Sequence, residues 1–388
     1  VTDNRLYTII PYKGQLVELC NPTRARAIYK NKILNLLANE TIEAKWTLWF
    51  EEYSCSIETT FSCPRVTNFF YELGFLLENL DGVQDDTLLA IDIEYRDFRT
   101  FEMVSPVNKI ELHLFESIDF GSYQKLFDQC QAQLLAGNCY QLNLTCEHLY
   151  RWDNSAGYTP QCFIASLWND PSSRGAFGSA TFIASTNTLY LSNSPECLFQ
   201  VESNILSTMP IKGTLSLKNI SDFRAMWKKL INDKKNEAEL YMIIDLLRND
   251  LSRIELPIAR VVKKKLPLLA PGILHQFAKI EIKLSKLVTI KRIVENLFPG
   301  GSITGAPKKM AIKLLSDIEK RERKFYCGST LICFKRMKSA SINIRSAVVD
   351  FERRLLTYQS GGGITLQSNP MEEYKEMLLK RESFIRAL

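Results

Sequence analysis

Between residues 224 and 251 the chain reads RAMWKKLINDKKNEAELYMIIDLLRNDL, with apolar side chains at Leu240, Ile243, Ile244, Leu247 and Leu251. That spacing draws a single stripe along a helix, and a stripe so apolar has to be covered. The helix is expected to run as one piece, or as two with a break near Asn232. Around it lie segments of another kind. Residues 44–61 and 88–104 are rich in aromatic and β-branched residues and read as strands. Residues 178–195 read as a hairpin around the polar STNT, and 328–335 and 339–351 as further strands. Helical spacing returns at 123–137, which ends at Gly137, at 306–323, where Pro307 suits a first turn, and at 369–388. Long helices among many strands predict an α+β fold with stacked sheets. A chain of 388 residues makes one large domain or two ordinary ones, and no repeat, low-complexity segment or clean linker divides it.

Composition narrows the function classes. Hydrophobic residues make up 46% and charged residues 24%, as in a soluble globular protein. A net charge of +6 is mild for this length; it suits an anionic small molecule and does not imply nucleic acid. The 10 cysteines contain no CxxC pair, so neither a zinc ribbon nor a redox dithiol is indicated, and a reducing compartment is expected. The N-terminus lacks a signal-peptide pattern, and no apolar run approaches the roughly 18 residues of a membrane span. A cytoplasmic protein without membrane contact is the expectation.

Several strings could carry chemistry. Lys212 sits in PIKGT, a turn-like string where a lysine usually faces water. FPGGSITGAPKK (298–309) places three glycines before a helix, which is either an anion site or a tight turn with a cap. It lacks the GK[ST] ending of a phosphate loop, so ATP is not supported. SGGGI (360–364) reads as a flexible loop or a backbone nest for a carboxylate. Glu373 and Glu376 share a helical face, and with a glutamate from another helix they could hold Mg²⁺. Arg345 interrupts an apolar strand, so its charge needs either an internal salt bridge or an anionic ligand. His113 and His148 read as structural, while His275 is less easily dismissed. The charge clusters at 262–265 and 319–324 read as solvated faces.

In their order along the chain, these pieces resemble a known family, the chorismate-utilising enzymes. The matching strings are AGNCYQLNL (136–144), SNSPECLF (192–199), MPIKGT (209–214), EAELYMIIDLLRNDLSRI (237–254), FPGGSITGAPK (298–308), YCGS (326–329), INIRSAVV (342–349), SGGGI (360–364) and EEYKE (372–376). The resemblance implies two stacked antiparallel β-sheets forming a sandwich core flanked by helices. It implies one two-lobed catalytic domain over 1–388, divergent over 1–120 and bearing the site motifs over 121–388. Within the family, anthranilate synthases carry alanine where Lys212 stands, and the aminodeoxychorismate synthase branch carries this lysine. The implied reaction is amination of chorismate to 4-amino-4-deoxychorismate, the precursor of p-aminobenzoate and folate.

The resemblance assigns roles residue by residue. Lys212 becomes the nucleophile at ring C2, although a free lysine, with a pKa of about 10.4, must first lose its proton. Glu196, sixteen residues earlier, becomes the general acid for the departing C4 hydroxyl. His275 matches a histidine near the ring. Thr304, Gly301 and Ser302 match the segment holding the ring carboxylate. Arg345 and Gly361, Gly362 and Gly363 match contacts to the pyruvyl side, and Thr214 joins the substrate-binding set. Glu239 and Glu376 match direct Mg²⁺ ligands and Glu373 an outer one. No glutaminase segment is recognisable, so the resemblance implies a separate glutamine amidotransferase subunit supplying ammonia.

Four positions depart from the family pattern: Asn236 replaces an acid, Ala278 a serine, Leu331-Ile332 a glycine–tyrosine pair, and Asn343 a threonine or valine. Anthranilate synthase component I, an isochorismate or salicylate synthase, and a non-catalytic chorismate-binding protein stay open as alternatives.

Overall fold

The computed structural model describes residues 6–103, 109–153, 157–217, 219–256, 258–270 and 273–388. Its strands pair antiparallel into one continuous ribbon. From Gln141–Arg151 the pairing runs through Leu355–Ile364, Ser346–Asp350, Thr188–Ser192, Ser179–Ile183 and Tyr7–Tyr12. It then turns through Gln15–Ile28, a 14-residue strand whose register shifts between Pro22 and Arg24. The second half continues through Ala90–Thr100, Phe61–Phe69, Ser329–Lys335, Met337–Ser341, Cys197–Glu202 and Ile205–Met209. It ends at Ile273–Lys283, which also holds Ile211–Ser216 and Arg260–Ala270.

The two halves lie face to face. Asn68 Nδ2 donates to Thr181 Oγ1 at 3.3 Å, Ser179 Oγ to Thr330 Oγ1 at 3.3 Å, and the Tyr190 ring meets Phe70 edge-on at 5.5 Å. The expected sandwich is therefore present, as a ribbon folded over on itself.

Helices cover the outer faces. The predicted stripe is real: Leu240, Ile243, Ile244, Leu247 and Leu251 are all buried, against Ile280 and Ile282 of the adjoining strand and Ile293 of helix Ile290–Leu297. Burying each such side chain contributes roughly 1.5–3 kcal/mol. The segment is two helices, Phe223–Ile231 and Lys234–Ile254; Asp233 caps the second by accepting from the Asn236 N–H. A second group of helices, Phe120–Leu135, Lys308–Glu319 and Pro370–Arg386, packs Phe127, Leu315 and Met377 against Leu142 and Leu144. Gly137, with φ +75°, follows the first of them as expected.

Four expectations need correction. Residues 44–61 are not strand until Phe61. Trp46–Phe50 is helix and Glu51–Tyr53 a 3-10 turn, because Trp46, Trp49, Phe50 and Tyr53 follow helical spacing and bury the last three rings. The strand expected over 339–351 breaks into Met337–Ser341 and Ser346–Asp350, and Arg345 stands at the break with φ +50°. The glycines of SGGGI form neither a loop nor a nest: they continue the strand Leu355–Ile364, with Gly361 opposite Thr145 and Gly363 opposite Asn143. The cluster 319–324 is only partly a solvated face: Lys320, Glu322 and Lys324 are exposed, but the side chains of Glu319 and Arg323 are 2% and 1% exposed and pair at 2.7 Å. Lys263 and Lys264 do face solvent, while Lys265 is half-buried on Glu237 at 2.8 Å.

Candidate active site

PIKGT begins a strand that cannot stay regular. Ile211 pairs with Phe277 and Thr214 with His275, and the register shifts between them. Lys212 and Gly213 occupy that bulge, with Gly213 at φ +84°. A side chain at Gly213 would be strained by that angle and would press on Leu230 and Asn236. Lys212 itself is only 14% exposed, and its Nζ lies 3.9 Å from Glu239 Oε2. The lysine therefore does not face bulk water. Asn236, one of the four departures, packs directly behind this bulge.

His275 is buried and receives Arg345 Nη2 on its Nε2 at 3.0 Å. Burial, then the charges of Arg345 and Lys380, push its pKa down to about 3, against a backbone hydrogen bond with Gly213 that works the other way. His275 is thus a neutral ring at physiological pH and cannot serve as an imidazolium acid. Arg345 is nearly buried, and desolvation lowers its pKa. Among the described residues no carboxylate pairs with it, so the internal salt bridge is not found.

Glu196 lies close to Ile211 and Lys212. It is 4% exposed, and Ser302 Oγ donates to its Oε1 at 2.8 Å. Burial raises its pKa to about 7, against the opposing pull of Ser302, of the Lys212 charge and of the Ile211 backbone. A carboxyl poised near neutrality can give and take a proton under ordinary conditions.

Ser302 belongs to the 3-10 turn Gly301–Ile303, and Gly305–Ala306 then pairs with Gln141–Arg151 before the helix opens at Lys308. The glycines of FPGGSITGAPKK thus form a tight turn rather than lead straight into the helix. Thr304 is fully buried, and its hydroxyl donates to the Gly300 carbonyl at 3.0 Å. Both hydroxyl hydrogens are therefore engaged, that of Thr304 on Gly300 and that of Ser302 on Glu196, and neither is free for an anion in this arrangement.

The glycine strand explains its own composition. A Cβ at Gly361 would fall 2.1 Å from the Leu144 carbonyl oxygen, and one at Gly363 2.4 Å from Gln141 Nε2. Behind Gly362 stands Glu373, whose Oε1 accepts from Ser368 Oγ at 2.8 Å. Glu376 is 59% exposed and pairs with Lys380 at 2.8 Å. Lys380 also donates to the Gly361 carbonyl at 2.8 Å.

The expected magnesium ligands are carboxylates, the right donors for a hard cation. Among the described residues, no three His, Cys, Asp or Glu side chains gather as a metal cluster. In this arrangement Glu239 faces Lys212 and Glu376 holds Lys380, so a dication would compete with two ammonium groups. Thr214 pairs with His275 through its backbone, and its side chain lies outside the described residues.

Two site residues escaped the sequence reading. Gln141 is 1% exposed, and neither of its amide atoms has a partner among the described residues. Lys380 was signalled only by its four-residue spacing from Glu376.

A model of the chorismate binding enzyme family matches residues 79–386. The chain belongs to that family. It is 33% identical over 269 residues to aminodeoxychorismate synthase component 1 of Salmonella typhimurium, covering 69% of this chain and 57% of that one. Against the same-named protein of Escherichia coli it is 31% identical over 273 residues, with the same coverage. The chain thus spans a little over half the length of these relatives. The crystal structure of anthranilate synthase component I from Streptococcus pneumoniae superposes with a TM-score of 0.80 at 17% identity, covering 99% of this chain and 93% of that one. That likeness supports the family fold. No described helix is long and apolar enough to cross a membrane.

Proposed function

We propose that this chain is the chorismate-aminating component of an aminodeoxychorismate synthase. The observation that carries the reading is Lys212: an amine held inside the site, near a carboxyl poised at neutrality, at the position that distinguishes the branches of the family. The names of the Salmonella typhimurium and Escherichia coli relatives agree with it.

Chorismate carries two carboxylates, and Arg345 offers a buried cation with no carboxylate partner among the described residues. Placing a substrate carboxylate on it removes an expensive uncompensated charge. With the ring so held, the neutral amine of Lys212 attacks C2. The ring double bonds shift, and the C4 oxygen leaves as water with the proton of Glu196. Ammonia then attacks C4 while the C2–Nζ bond breaks, and Glu196 takes up the proton that ammonia sheds. Two moderate steps replace direct expulsion of hydroxide. Neutral His275 holds Arg345 in place and cannot compete as an acid.

Glu239, Glu376 and Glu373 are the residues that would hold Mg²⁺. When bound, the ion supplies positive charge to the ring carboxylate and orients the substrate. Ammonia is assigned to a separate glutamine amidotransferase subunit, in keeping with the "component 1" of the relatives' names.

The test is product identity. Purified chain is incubated with chorismate, Mg²⁺ and ammonium, and the products are identified by mass. Aminodeoxychorismate is expected. Anthranilate, isochorismate or salicylate as main product would reject the reading, and so would tight chorismate binding without turnover.

A further inference from the structure

The buried ion pair at 319–323 has a geometry that burial alone does not explain. Arg323 follows the end of helix Lys308–Glu319, where Lys320 turns the chain at φ +52°. Its guanidinium forks onto Glu319, Nε to Oε2 at 3.0 Å and Nη2 to Oε1 at 2.7 Å. Two further donations leave the helix altogether: Nη1 to the Ile303 carbonyl at 2.9 Å and Nη2 to the Asn143 carbonyl at 2.7 Å. Ile303 lies in the turn that carries Ser302. Asn143 lies on the strand that carries Gln141, opposite Gly363. The two segments also bond directly, the Asn143 N–H donating to the Thr304 carbonyl at 2.9 Å. Glu319 ties down the same strand by accepting from the N–H of Thr145 at 2.9 Å and from its hydroxyl at 3.0 Å. The Glu72 carboxylate accepts the Arg323 N–H at 2.7 Å, and the Tyr71 ring lies 4.6 Å from the guanidinium.

A buried ion pair is a poor device for stability, because apolar residues of similar volume often serve as well. What an apolar pair cannot do is bond two carbonyls on separate segments in fixed directions. We propose that the Glu319–Arg323 pair is a positioning device for the substrate. It locks the Ser302–Thr304 turn against the strand bearing Gln141 and Asn143, and so sets the spacing between the Glu196 side of the site and the Gly363 side. This role rests on the reading above that those two segments bind chorismate, and it is independent of which product is formed.

The test compares two variants. Arg323→Lys keeps the charge, but one ammonium cannot span Glu319 and both carbonyls. Leu167→Ala removes a buried side chain from helix Pro160–Trp168, in a separate core cluster that contains neither Ile303 nor Leu142 and Leu144 of the two site segments. Apparent chorismate affinities are measured by calorimetry without ammonia, alongside Tm, KM and kcat. Arg323→Lys is expected to weaken chorismate on the order of tenfold, with KM rising more than kcat falls. Leu167→Ala, at an equal or greater loss of Tm, is expected to bind within about twofold of wild type. If Arg323→Lys does not fold, Glu319→Gln, which loses half the fork, is expected to weaken binding in the same direction. Arg323→Lys or, failing it, Glu319→Gln binding like wild type overturns the role, as does Leu167→Ala losing affinity equally. A wild-type protein that binds no chorismate overturns the proposed substrate and this role together.

Discussion

Lys212 and Glu196 share one electrostatic problem. An amine must be neutral to attack, and a carboxyl must be protonated to release water, in the same small volume. Burial solves the second half by lifting Glu196 to about 7. The acid form is then lost above neutrality, while the neutral fraction of an ordinary lysine keeps rising about tenfold per pH unit. The two trends cancel, so the rate of the step is expected to climb towards about pH 7 and to level off beyond it. Glu196→Gln is expected to lower the rate at least about a hundredfold and to remove that break; a wild-type rate still climbing about tenfold per pH unit up to about pH 9 would exclude the assignment. Stability follows the same sign. The folded pKa lies above the ordinary 4.5, so the native state binds the extra proton between the two values. The contribution is fully present below about 4.5 and disappears as pH rises through about 7, a difference of roughly 3 kcal/mol. Melting curves of wild type and Glu196→Gln should therefore converge in acid and separate towards pH 8, with the variant the more stable there. The lysine and the acid were legible in the sequence because their strings are distinctive. The neutral state of His275 was not, and the sequence left open whether Arg345 had an internal carboxylate partner, because both follow from burial and packing that only the folded chain creates.

Short elements were the hardest to read. Residues 44–61 hold four aromatic side chains at helical spacing, but their composition favours strand. The packing of Trp49, Phe50 and Tyr53 into the core decides the matter. Three consecutive glycines suggested a loop, since glycine weakens a strand. Here close approach demands them: at Gly361 a Cβ would sit 2.1 Å from a neighbouring carbonyl oxygen. Gly361→Ala must force the strand Leu355–Ile364 away from Gln141–Arg151, at a cost of about 1–3 kcal/mol or more. Thermal unfolding and chorismate affinity should both suffer, and an unchanged Tm would show that the strands part without penalty. By contrast, the long helix Lys234–Ile254 was clear at once, because five apolar positions at one period leave little choice of face.

At the scale of the molecule, the folded ribbon brings together residues far apart along the chain. Glu196 and Lys212 come from its middle, and Arg345 and the glycines from its last fifty residues. The resemblance supplied that architecture, while composition alone supplied only the α+β class. The charged run 319–324 shows where pattern fails: six charged residues in a row read as surface, and only tertiary packing reveals Arg323 bridging two site segments. Two further outcomes belong to this scale. Glu239→Gln should raise the Mg²⁺ needed for half-maximal rate, roughly tenfold, with an unchanged requirement arguing against that ligand. Ammonium salts should support turnover alone, whereas glutamine should require an added amidotransferase subunit. The most direct test concerns the bond to Lys212. Chorismate is supplied without ammonia, and the protein is examined by intact and peptide mass spectrometry. The expected result is a gain equal to chorismate less water on the Lys212 peptide, lost on adding ammonia and absent in Lys212→Ala. A wild-type enzyme that turns over while Lys212 stays unmodified, or a Lys212→Ala variant with full activity, would contradict it.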